Sequence, residues 1–183
     1  ERQAEAGNYR KGHMVLHGIP ITIETAKGET RRKMRDGRVL WEVPDMPAHY
    51  GYIKGTEGAD STRGREQQVD VYVGDNVGST RVFVIDQEDP ASGEFDEHKA
   101  VLGVSSAEEA GQLYSRAFSD GMGPDRVGGI TEMSIEQFKE WLARGRRSER
   151  LSPKRGPGEE LQPTKAVRAR ILDLEADEIE RIV

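Results

Sequence analysis

Two stretches carry the residues best suited to chemistry. MPAHYGYIKGTEGAD (46–60) holds a tyrosine–glycine–tyrosine turn and ends at Asp60, and VDVYVG (69–74) carries Asp70 into the next extended run. Further acidic residues (Glu24, Glu66, Asp86, Asp89, Asp96 and Glu97) lie near the ends of short apolar runs. Carboxylate oxygens are the ligands that a hard divalent cation such as Mg2+ requires, and such a cation polarises phosphoryl oxygens and acidifies water. Lys27, Arg31, Arg32, Lys33 and Arg38 form a basic stretch, and Lys99 follows Glu97 by two positions. Ammonium, guanidinium and tyrosine hydroxyl donors hold phosphate oxygens. A lone aspartate at a strand end is usually a turn residue, so the weight rests on the combination.

The elements that must position these groups are short. Ile19, Ile21 and Ile23 alternate with period two, which predicts a strand with one buried face after a Gly18 turn. Residues 27–38 read as a basic turn region, with Asp36-Gly37 as a hairpin turn before a strand at 39–43. Further strands are expected at 50–53, 69–73, 81–86 and 98–104. The continuous Val82-Phe83-Val84-Ile85 run is expected to be the most buried. Ser105 and Ser106 followed by Glu108 and Glu109 open a helix to about Phe118, and Ser134 with Gln137 opens a second through Leu142. Gly121, Gly123, Gly128 and Gly129 read as a loop. That loop lacks the Lys-Ser/Thr ending of a nucleotide-cradling P-loop. Tyr52 and Tyr72 read as packing residues, and His49 and His98 have no zinc-ligand spacing.

The expected organisation is an N-terminal arm at 1–12, a barrel domain at 13–143, a Pro/Gly/Arg-rich linker at 144–165 and an amphipathic helix at 166–183. In that helix Ile171, Leu174, Ile179 and Ile182 form an apolar stripe. The fold class expected is mixed α/β: a small OB-like closed β-barrel of five to six mainly antiparallel strands, two packed helices and the C-terminal helix. The terminal helix is expected to dock its apolar stripe on the barrel or on a partner, or to mediate a homo-oligomer. Glu1 in place of a methionine reads as a processed product, a piece of a larger polypeptide or a trimmed chain.

Composition excludes several classes. The chain has no cysteine, so thiolate metal sites and disulfides are out, which is compatible with a reducing cytoplasm. No apolar run approaches the roughly 20 residues of a membrane helix, and no signal peptide is evident. A net charge of −6 and only 6% aromatic residues speak against a general nucleic-acid binder.

The Tyr-Gly-Tyr turn and the ordered acidic residues resemble the soluble inorganic pyrophosphatases, more closely the pyrophosphatase-like domains of phage and mobile-element proteins. The resemblance covers roughly residues 5–143. It implies Mg2+-dependent hydrolysis of pyrophosphate or a related phosphoanhydride in a bacterial cytoplasm, with phage-encoded or virion-associated origin in view. It implies metal ligation by Glu24, Asp60, Asp70, Asp86, Asp96 and Glu97, and phosphate binding by Lys27, Arg38, Tyr50 and Lys99. Catalysis would rest on Asp70, Asp60 and Tyr50. The pattern departs from the family between Asp60 and Asp70, where the middle aspartate falls on Gln67 beside Glu66. Either Glu66 substitutes for it, or Arg63 and Arg65 replace a metal ion. The second case is a phosphate-binding domain that is not catalytic and serves ligand binding or particle assembly.

Overall fold

The computed structural model describes residues 12–56 and 68–153. The expected N-terminal arm, most of the linker and the C-terminal helix lie outside the described residues, as do Asp60, Arg63, Arg65, Glu66 and Gln67.

Among the described residues nine strands and two α-helices follow in order. The strands are β1 (Gly12–Leu16), β2 (Ile19–Thr25), β3 (Arg31–Arg35), β4 (Arg38–Val43), β5 (His49–Ile53), β6 (Asp70–Val73), β7 (Arg81–Glu88), β8 (Phe95–Leu102) and β9 (Val127–Ser134). Helix α1 (Ala107–Ser115) lies between β8 and β9, and α2 (Ile135–Arg144) follows β9. His17 and Gly18 both take positive φ between β1 and β2, as do Asp36 and Gly37 between β3 and β4. Each pair therefore makes a two-residue hairpin turn whose twist matches the strands.

The expectation of a closed barrel is overturned. Seven strands form one open sheet in the order β1-β2-β5-β6-β8-β7-β9, and β3 pairs only with β4 in a separate two-stranded sheet. Two things keep it open: β9, a strand where a glycine loop was expected, extends the sheet beyond β7, and β1 at the far edge pairs with β2 alone. The β6–β8 pairing is parallel, in a sheet that is otherwise antiparallel.

Both faces of the sheet are covered, which is why Val82, Phe83, Val84 and Ile85 are all fully buried. On one face Val71, Val84, Ala100 and Ile21 pack with Ile135, Phe138 and Trp141 of α2. On the other, Tyr50, Tyr72, Phe83, Ile85 and Val101 pack with Ala110 and Tyr114 of α1. The helices begin where their caps dictate. Ser106 accepts from the Glu109 amide at 3.1 Å, and Ser134 and Gln137 form a reciprocal capping box. No described helix is long and apolar enough to cross a membrane.

Candidate active site

The register of three strands assembles the site. Antiparallel β5 and β6 set Tyr52 opposite Asp70 and Tyr50 opposite Tyr72, while parallel β6 and β8 set Asp70 opposite Lys99. Directly paired residues share a face, so Tyr50, Tyr52, Asp70, Tyr72 and Lys99 all point to the α1 side. Tyr50-Gly51-Tyr52, expected as a turn, lies inside β5, and glycine is required there because a Cβ on Gly51 would lie 1.8 Å from the Thr22 carbonyl oxygen of β2.

Asp70 is the hub. Its Oδ2 accepts the Tyr50 hydroxyl at 2.6 Å and also the Lys99 ammonium. Lys99 reaches Glu97 Oε1 at 2.7 Å, so one cation bridges two carboxylates. Beside them Gln87 on β7 donates to Asp96 at 2.8 Å and to Glu97 at 3.3 Å, and accepts the Tyr114 hydroxyl of α1 at 2.7 Å. Asp96 is the extra residue where the β7–β8 ladder shifts register. Tyr50, Tyr72 and Tyr114 form an aromatic ladder, with centroids 5.0 and 5.9 Å apart. Arg31 lies over the Tyr50 ring at 3.7 Å and beside Trp41 at 5.1 Å.

The electrostatics follow from this packing. Burial opposes charge on Lys99, but Tyr50, Asp70 and Glu97 outweigh it and hold the ammonium well above the ordinary lysine range. Burial pushes the Tyr50 hydroxyl well above its usual range, against the opposing pull of Lys99. Both groups therefore remain proton donors at neutral pH. Glu97 is raised by burial and by Asp70 and Asp96, with Lys99 opposing.

The remaining sequence candidates are dispersed. Asp86 faces the opposite side of the sheet, opposite His98 in the ladder. There it lies 3.1 Å from His98 Nε2 and accepts the Leu151 and Ser152 amides at 3.1 and 2.9 Å together with the Ser152 hydroxyl. These hydrogen bonds outweigh its desolvation and hold it below the usual carboxylate range. Asp86 thus ties down the chain after α2 and does not join Asp70. Lys27 is half-exposed and pairs with Asp75, and its amide donates to His49 Nδ1 at 3.2 Å. Arg38 is exposed beside the hairpin turn, and Glu24 is exposed on β2. Gln87, Tyr114 and the stacking of Arg31 were not foreseen. Period-two alternation from Phe83 and Ile85 through β7 points to Gln87, and helical spacing from Ala110 points to Tyr114.

Against known proteins, the Inorganic Pyrophosphatase family profile matches residues 1–143. The chain belongs to the inorganic pyrophosphatase family. No curated protein and no solved structure matches it. The Asp70 and Glu97 carboxylates on either side of Lys99 are oxygen donors of the kind that a hard divalent cation takes. Among the described residues no three metal-ligating side chains converge, and Lys99 bridges the two carboxylates.

Proposed function

We propose that this chain hydrolyses inorganic pyrophosphate or a related phosphoanhydride in a Mg2+-dependent reaction. The observation that supports this reading most is the convergence of Tyr50, Asp70, Lys99 and Glu97 from three strands onto one face, in a chain of the pyrophosphatase family. A bound Mg2+, held by Asp70 and Glu97, would supply Lewis-acid polarisation of the phosphoryl oxygens and a lower water pKa.

The protein's own residues supply the rest. Lys99 and the Tyr50 hydroxyl, protonated at neutral pH, donate to phosphate oxygens as negative charge builds there. Arg31, held over the Tyr50 ring, adds a second cationic donor. Asp70, which touches both Lys99 and Tyr50, orients the attacking water and accepts its proton. Burial of Tyr50, Tyr72 and Lys99 lowers the local dielectric and strengthens each of these interactions.

Two features favour a second reading, a ligand-binding domain without turnover. Lys99 is engaged by both carboxylates, and Gln67 stands at the family's middle aspartate position. Calorimetry with imidodiphosphate, a non-hydrolysable analogue, tests whether the site recognises pyrophosphate at all. The expected result is Mg2+-dependent binding that weakens at least about tenfold in Lys99→Met. Equal binding by the two proteins would remove Lys99 from the site.

A further inference from the structure

The β3–β4 hairpin stands apart from the seven-stranded sheet as its own two-stranded ribbon. Arg32, Lys33, Met34, Arg35, Arg38, Val39, Leu40 and Trp41 are all exposed along it. Of the seven large apolar side chains exposed among the described residues, four are here: Met34 at 48%, Val39 at 48%, Leu40 at 53% and Trp41 at 38%. Charge is segregated in the same place. Residues 31–43 carry five cations against Asp36 and Glu42, a net +3, in a chain whose overall charge is −6. An exposed surface both apolar and basic marks an interaction site.

The chain itself contains a segment of the opposite character. Residues 171–183, ILDLEADEIERIV, carry Asp173, Glu175, Asp177, Glu178 and Glu180 against Arg181, a net −4. Their apolar residues Ile171, Leu174, Ile179 and Ile182 recur at helical spacing. A helix of this length is marginal alone in water and needs a surface for its apolar stripe. Seventeen residues separate Pro153 from Ile171, a tether that spans up to about 55 Å when extended, ample for reach.

We propose that the acidic C-terminal segment 171–183 of the chain docks on the β3–β4 hairpin of the same molecule, setting its apolar stripe against Met34 and Val39, which pair across the ribbon, and its carboxylates against Arg32 on the same face. The four exposed apolar side chains favour such a partner over nucleic acid, whose phosphates would leave them uncovered. This docking is independent of the hydrolytic reading.

The test uses the full chain. In a Met34→Trp, Trp41→Phe chain the reporter lies on the docked face, and Trp141 is buried, so acrylamide quenching of tryptophan fluorescence reports on position 34. Leu174→Asp with Ile179→Asp is expected to raise quenching and to speed amide exchange in residues 31–43, at every protein concentration. Glu175→Lys with Glu178→Lys should do the same, and adding Arg32→Glu should restore the protection. Unchanged quenching and exchange in the tail variants would overturn the proposal. Hairpin protection that depends on concentration and tracks a doubled molar mass would also overturn it, assigning the surface to a second copy. Protection that arises only when a DNA duplex is added would overturn it in favour of nucleic acid.

Discussion

The Tyr50 hydroxyl donates to Asp70 at 2.6 Å, on the same oxygen that receives the Lys99 ammonium. One carboxylate oxygen thus gathers two donors from neighbouring strands. Burial keeps the Tyr50 hydroxyl protonated, while Tyr50, Asp70 and Glu97 keep the Lys99 ammonium charged against its own burial, so the pair does not depend on pH near neutrality.

Tyr50→Phe removes one of these donors while keeping the ring beneath Arg31. Pyrophosphate turnover, expressed as kcat/KM, is expected to fall about 100-fold, with melting temperature little changed. Phosphate-release kinetics alongside a thermal melt measure both.

Lys99→Met leaves Asp70 and Glu97 facing each other without a cation. Breaking such a partly buried pair is expected to cost about 3–5 kcal/mol. The loss carries a pH signature. Glu97 already titrates above its ordinary range, and losing Lys99 raises it further. A carboxylate raised in the folded state has its full stabilising effect below the ordinary glutamate range, and that effect is lost as pH rises through the folded value. Urea melts of Lys99→Met should therefore show stability declining upward from about pH 4–5, with Glu97→Gln added on top relieving the decline.

Asp86 has the opposite sign. Its carboxyl is held below its usual range by His98, Ser152 and Leu151, so its contribution is complete above the ordinary aspartate value and disappears as pH falls through the depressed one. Asp86→Asn is expected to destabilise by about 1–3 kcal/mol at pH 7, with the difference from the parent shrinking below about pH 4. Turnover per folded molecule should be unchanged, because Asp86 lies on the face away from Asp70.

Gly51→Ala forces a methyl group against the Thr22 carbonyl where β2 crosses β5. Overpacking of this kind costs about 1–3 kcal/mol. Denaturant midpoints should drop, and turnover should drop with them, since Tyr50 and Tyr52 flank the strained residue.

Local pattern was legible in the residues. The Ile19, Ile21 and Ile23 alternation, the Asp36-Gly37 turn, the buried Val82-to-Ile85 run and the serine caps at 106 and 134 all have local physical causes. Strand neighbours are a different matter. Asp70 and Lys99 lie 29 residues apart and meet only through the parallel β6–β8 pairing, which nothing in either strand specifies. Alternation also groups residues within a strand without saying what covers each face, so Asp86 read like the other acids until its side of the sheet was known. Gly128 and Gly129 read as loop residues. They lie in β9, where glycine is needed because Glu88 and Ser152 pack where their side chains would be. That strand, β9, extends the sheet past the point where closure was expected.

Phosphate release from pyrophosphate by the purified full chain, with Mg2+ and with EDTA, beside Asp70→Asn, tests the central claim most directly. The account predicts Mg2+-dependent release that the substitution lowers by orders of magnitude while circular dichroism stays native. Release that is equal in the two proteins, or no release from a folded parent chain, would contradict it.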